Sequence, residues 1–228
     1  MILQIETATA SCSVALANNG IVLKSKEANG RNLHAEMLTL FIDEIVASAG
    51  ITYANIDAVA VSCGPGSYTG LRIGISTAKG LCFALDKPLI AIETLQSMAG
   101  GVLAMDEYKS QPQLLLCPMI DARRMEVYTA LFAMDGERMA ATTASIIDEN
   151  SFADILNERR VLFFGDGAEK CYNVLKDNPY ALYLPDFQNS ATHLTQKALT
   201  KFNNREFEDV AYFEPYYLKD FIAGKKAI

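Results

Sequence analysis

The residues of this 228-residue chain whose types and spacing could do chemistry crowd into one stretch, SCGPGSYTGLRIGISTAKGLCFAL, from Ser62 to Leu85. A glycine-rich turn that leaves the apolar run IDAVAV and opens a helix presents free backbone N–H groups to an anion. Its spacing matches neither standard phosphate loop. The form G-x-x-x-x-G-K-[ST] needs a lysine and a hydroxyl after its last glycine, and here Leu71 and Arg72 follow Gly70. Gly64, Gly66 and Gly70 also miss the G-x-G-x-x-G frame. Arg72 and Lys79 could meet an anion, although single basic residues on a helix usually form a solvated face.

The same stretch carries a second signal when read as a helix. Gly66, Gly70, Gly74 and Ala78 recur every fourth residue, the last three on one stripe. A mid-helix glycine costs about 1 kcal/mol against alanine, so several together imply that another backbone comes close. That backbone is either the chain's own sheet or a helix of another chain. Leu71, Ile75, Ala78 and Cys82 form a separate stripe able to face a sheet. The preceding helix, 34–49, has its core face in Leu38, Phe41, Ile42 and Ile45, and Met37 and Leu40 widen the apolar arc.

The remaining candidates are sparser. Asp121 and Glu126 lie close in sequence but on a predicted hairpin, where they need not share a pocket. Phe164-Gly165-Asp166-Gly167-Ala168 is similar to an adenosine-side turn, which makes Gly165 and Gly167 candidate nucleotide contacts; Asp166 as a helix cap explains the turn equally well. His34 and His193 have no carboxylate or cysteine cluster beside them, and are read at a helix start or interface and on a surface helix. The five cysteines are odd in number and never form C-x-x-C, which predicts reduced, buried thiols and no zinc. Neither a His–Glu metal helix nor G-x-S-x-G is present.

Twenty Lys and Arg against 27 Asp and Glu give −7, which argues against a broad phosphate-binding face on this chain alone. The stretch MILQIETATASCSVAL reads as a strand rather than a signal peptide, and no apolar run approaches the ~20 residues of a membrane helix. A cytoplasmic protein without membrane contact is expected. Strands are predicted at 2–6, 12–17 and 21–26, with Asn18-Asn19-Gly20 turning the last two, then helix, strand 56–62, helix 69–85, strand 88–92 and a helix with Thr94 as N-cap. The pattern then restarts with strands at 114–120, 126–134 and 137–146, the helix SFADILNER, the strand VLFFG, a helix from GDGAEKC, a strand at 181–184 and a helix at 190–202. This predicts duplicated α/β lobes, 1–107 and 108–228, with the aromatic tail AYFEPYYLKDFIAGKKAI packing back on the first.

IETATASCSVAL, RNLHAEML, CGPGSYTGLRIGISTAKGL and PLIAIETLQSMA together resemble the TsaB family (YeaZ type), the bacterial dimerization subunit for threonylcarbamoyladenosine synthesis in tRNA. The match is strong over about the first hundred residues; beyond them only the strand order and IDARRMEVYTALF fit. The glycine segment is shared with the paralogous TsaD. The resemblance implies an α/β fold of two ribonuclease-H-like lobes of the actin, Hsp70 and sugar-kinase type, the second lobe reduced. TsaD-like proteins hold a metal with His-x-x-x-His, where this chain has Thr94 and Met98 in ETLQSM; a hydroxyl and a thioether do not replace two imidazoles. The ATP turns of the fold are eroded to Ile5-Glu6-Thr7-Ala8 and Ile120-Asp121-Ala122-Arg123. The implied function is a scaffold with no catalytic residue, metal or cofactor. Its implied interface for a TsaD-like catalytic subunit is His34, Met37, Leu40, Phe41, Gly70, Ile73, Gly74, Thr77, Ala78 and Leu81. The same surface would form a homodimer when alone, with a TsaE-like ATPase as third component, a threonylcarbamoyl-adenylate donor made elsewhere, and tRNA reached indirectly through the complex. The competing expectation is an ATP-dependent kinase or ATPase using Glu6, Asp121 and the GDGA turn.

Overall fold

The computed structural model describes residues 1–30 and 33–219. Arg31 and Asn32 of the RNLHAEML helix start, and tail residues 220–228, lie outside them. The first sheet contains β1 (Ile2–Glu6), β2 (Ser11–Asn18), β3 (Ile21–Asn29), β4 (Ala58–Ser62) and β5 (Leu89–Ile92), in the order β3-β2-β1-β4-β5. The second contains β6 (Leu115–Asp121), β7 (Glu126–Ala133), β8 (Arg138–Ile146), β9 (Val161–Phe164) and β10 (Ala181–Leu184), in the order β10-β9-β6-β7-β8. Read from the opposite edge, the second order repeats the first. Each is a three-strand antiparallel meander followed by two strands added in parallel, which is the duplication the sequence predicts.

Burial explains why strands of such uniform apolarity form. Every residue of β1, β4 and β5 is buried, as in sheets covered on both faces. One face packs Leu3, Ile5, Val14, Val59 and Val61 against α1 (His34–Ser48) and α2 (Tyr68–Leu85). The other packs Ala15, Ala60, Ile90 and Ile92 against a 3-10 turn, Ala191–Leu194, and α6 (Thr195–Asn204). Between the lobes α3 (Thr94–Leu103) puts Leu95, Met98 and Val102 on the second sheet. Behind that sheet lie α4 (Ala153–Leu156) and α5 (Asp166–Leu175). No helix of the described residues is long and apolar enough to cross a membrane.

Three local expectations change. The helix read over SFADILNER shrinks to the single turn α4, which Phe152 enters with a φ of 64°. The predicted helix 190–202 divides into the 3-10 turn and α6. Thr94 is the first helical residue of α3 rather than its cap, and Glu93 precedes it without a capping side chain. The five cysteines are free, and burial pushes Cys63 and Cys117 up to about 12, so both are neutral, unreactive thiols at pH 7.

After α6 the chain runs back along the first sheet and α2. Glu208 N donates to Leu89 O (2.9 Å), Tyr216 N donates to Cys63 O (2.8 Å), and Lys79 Nζ donates to the carbonyls of Ala211 (3.2 Å) and Phe213 (2.9 Å). The Tyr217 ring stacks on Tyr68 at 5.0 Å. The described part of the aromatic tail, residues 211–219, therefore docks on the first lobe, and Lys79 is committed to it rather than to an anion.

Candidate functional site

The glycine stripe is occupied by the chain itself. The turn between β1 and β2 lies on the first coils of α2: Ser67 N donates to Ala8 O (2.7 Å), and Thr7 Oγ1 donates to Gly70 O (2.9 Å). A Cβ on Gly66, Gly70 or Gly74 would overlap Ala8 O, Thr7 O or Thr7 Oγ1, closer than side chains approach. Gly70, Gly74 and Ala78 are buried, as are Phe41 and His34. The expectation that these five residues form a partner surface is corrected: the backbone that needs the glycines is the β1–β2 turn. His34 Nε2 sits 3.0 Å from Thr9 O and 3.2 Å from Ser11 O, which ties the start of α1 to the same turn.

The outer faces of α1 and α2 remain. Met37, Ile73 and Leu81 are half-buried at the edge of the core, Thr77 is half-exposed, and Leu40 is 52% exposed. At 100° per residue, Ile73, Thr77, Gly80 and Ala84 share one stripe of α2. Gly80 is exposed, and a Cβ there would meet nothing within 4 Å. It is the glycine of this helix for which the chain's own packing supplies no reason. In the sequence it stands as a mid-helix glycine outside the every-fourth register of Gly66, Gly70, Gly74 and Ala78.

A cleft of about 820 Å³ separates the lobes. One wall is Ala8–Ala10 and the start of α2; the other is Ile120–Arg124, Glu126 and Asp166, with Tyr216–Lys219 at the mouth. Its acidic groups are paired: Asp121 binds Lys170, Glu126 binds Lys219 at 2.5 Å, and Asp166 Oδ1 accepts from Asp121 N at 3.0 Å. Burial raises the Asp166 carboxyl above its usual range. Arg123 and Arg124 turn the β6–β7 hairpin in the left-handed region, at φ 72° and 51°, and Asp121 Oδ1 holds the Arg123 N–H at 2.7 Å. The candidate nucleotide contacts do not line this cleft. Gly165 and Gly167 are buried against the Met119–Ile120 backbone of β6, where a Cβ would overlap the strand, so both glycines serve close strand–helix packing. Glu6 is fully buried behind the turn rather than facing the cleft.

The positions that would carry metal-binding histidines are filled by packing. Thr94 Oγ1 lies 2.8 Å from Ser62 Oγ and accepts from Gly64 N at 3.1 Å. Met98 is buried on the second sheet with its methyl against Gly165. His193 lies between the lobes rather than on a surface helix: a Cβ on Gly101 would stand 2.7 Å from its ring, and its imidazole stacks on Phe187 at 5.3 Å.

A family model described as "TsaD: tRNA N6-adenosine threonylcarbamoyltransferase" matches residues 23–223. The tRNA threonylcarbamoyladenosine biosynthesis protein TsaB of Escherichia coli K12 is 31% identical over 236 residues, 99% of this chain and 97% of that protein. The chain belongs to the TsaB family. The TsaB of Haemophilus influenzae is 37% identical over 127 residues, 56% of this chain and 51% of that protein. The solved YeaZ from Pseudomonas aeruginosa superposes with a TM-score of 0.79 at 27% identity, covering 95% of this chain and 99% of that one. The match to the Escherichia coli TsaB runs over nearly the whole length of both chains.

Proposed function

We propose that this chain serves threonylcarbamoyladenosine modification of tRNA, for which its family is named, as a non-catalytic subunit that docks a TsaD-like catalytic subunit on the outer faces of α1 and α2. The observation that carries this reading is Gly80, an open glycine on an exposed helical stripe with Ile73 and Thr77 and next to Leu81. A solvated helix gains from alanine at such a site, whereas a crossing helix requires the glycine to come close. Met37, Leu40, Ile73, Thr77 and Leu81 of the expected interface supply its contacts; with no partner present the same face pairs two copies of this chain. The TsaE-like ATPase and tRNA join through the assembled complex, in the cytoplasm.

The enzyme reading is disfavoured by what its residues do. Glu6 is sealed from the cleft, and Asp121 is held by Lys170. Purified protein is expected to show no magnesium-dependent ATP hydrolysis; turnover that Asp121→Ala abolishes would establish the kinase or ATPase reading instead. Met37→Glu, placing a carboxylate in the apolar edge, is expected to weaken co-purification with the TsaD-like subunit at least ~10-fold at unchanged circular dichroism. Wild-type recovery of the partner would remove this face from the interface.

A further inference from the structure

Between the first sheet and the chain returning from the second lies a sealed polar layer: Gln4 and Glu6 on β1, Ser13 on β2, Ser62 on β4, and Asn189 and Thr195 on the returning segment. Gln4 and Glu6, two residues apart, point to the same face of their strand. Much of the layer is paired. Ala8 N donates to Glu6 Oε1 (2.6 Å), Ala191 N donates to Ser13 Oγ (2.7 Å), and Ser62 shares its hydrogen bond with Thr94. Four of its buried atoms have no partner among the described residues: Gln4 Nε2, Glu6 Oε2 and both amide atoms of Asn189. Buried polar groups are rarely left so, since each costs roughly 1–3 kcal/mol.

Counting donors identifies what the layer needs. The Thr195 hydroxyl lies 2.7 Å from Thr192 O and 2.9 Å from the Gln4 amide oxygen, and it has one proton. With that proton on the Thr192 carbonyl, Thr195 accepts from the Gln4 amide N–H, and the Gln4 carbonyl turns into the layer. Three acceptors, on Gln4, Glu6 and Asn189, then face only the two N–H protons of the Asn189 amide, which leaves the layer one donor short. We propose that Glu6 is a protonated carboxylic acid in the mildly acidic to neutral range, donating from Oε2 to the Asn189 carbonyl and locking β1 to the returning segment, and that loss of this proton loosens the lobe junction.

Burial raises Glu6 to about 7, against smaller opposing effects of the Ala8 N–H, Ser62 and Asn189. The groups packed around it leave its charge uncompensated. Cys12 on β2 is pushed up to about 11 by burial and then by Glu6 itself, and stays neutral. Ser62 on β4 and Thr94 on α3 carry no charge, and His193, four residues past Asn189, is held neutral by its own burial. Because the folded value lies above the unfolded one, the native state binds the extra proton, and the stability of the lock is lost as pH rises from about 4.5 through 7.

The test compares wild type with Glu6→Gln, which keeps a neutral side chain of the same length. The melting temperature of the wild type is expected to fall between about pH 6.5 and pH 8, above the range in which His193 titrates, and exchange protection of the Ala191 amide, corrected for intrinsic rate, to fall with it. Glu6→Gln is expected to hold both constant. If that variant does not fold, the infrared C=O stretch of a protonated carboxyl in the wild type near neutrality decides alone, and its absence overturns the proposal. So does an equal fall in both proteins. A melting temperature raised by sodium or potassium over choline, with the effect lost in Glu6→Gln, would put a cation in place of the proton and overturn it too.

Discussion

Gly80→Leu is expected to fold like the wild type and lose the TsaD-like partner, whereas Gly74→Leu is expected not to fold. The two glycines stand six residues apart on one helix, and their surroundings are opposite. At Gly80 a side chain enters open space, and leaving glycine behind stabilises an exposed helix by up to about 1 kcal/mol. A leucine there holds an approaching helix away, and overpacking of 1–3 kcal/mol at a contact is roughly a 5- to 150-fold loss of affinity. At Gly74 the first added carbon overlaps Oγ1 of the fully buried Thr7, whose hydroxyl is already bonded to Gly70 O. Nothing there can yield without lifting β1 from α2, and more than 3 kcal/mol is a large share of the 5–15 kcal/mol that holds a domain together. Thermal melts beside binding isotherms separate the cases. A Gly80→Leu protein that binds at wild-type affinity would place the interface elsewhere. The paired change Gly74→Ala with Thr7→Ala is expected to recover part of the stability lost by Gly74→Ala alone, because it removes the atom that is struck.

Those two glycines also show where the sequence could be read and where it could not. The strands, their order of appearance and the repeat of the pattern were legible because uniform apolar runs, Asn-Gly and Asp-Gly turns and helical spacing are local signals. Every-fourth spacing in α2 correctly implied a close backbone, yet spacing carries no information about which backbone arrives. The β1–β2 turn, sixty residues upstream, settles that only in three dimensions. The same holds for Gly165 and Gly167: strand–glycine–helix layout is common to phosphate turns and to tight packing, and the approach of Met119 and Ile120 distinguishes them. His193 looked solvated because its neighbours Ser190, Thr192 and Thr195 are polar. Those polar groups in fact face the lobe junction, and Gly100 and Gly101 on α3, nearly a hundred residues away, make room for the ring.

His193 gives the chain an acid-sensitive limb. Its ring is enclosed by Phe187 and α3, and Nδ1 accepts from Ser190 N at 3.3 Å, so burial lowers its pKa from 6.5 to about 4. The unfolded chain takes up a proton near 6.5 that the folded chain refuses until about 4. The unfolded state therefore binds more protons across that window, and stability falls as pH drops through it, by at most about 3 kcal/mol. Glu6 has the opposite slope from about 4.5 to 7, since there the folded state holds the extra proton. The two effects oppose each other over most of one range, so the wild type is expected to show a shallow profile between pH 4.5 and 6.5. In Glu6→Gln the histidine limb should stand alone, with urea midpoints that decline steadily below pH 6.5; His193→Gln should remove that decline and leave the Glu6 limb. Asp106 and Asp148, held below the usual carboxylate range by Lys109 and by Ser151, titrate beneath this window and do not imitate it. Parallel profiles in Glu6→Gln and His193→Gln would mean that neither group is insulated from solvent, and that the lobe junction is wetter than its packing indicates.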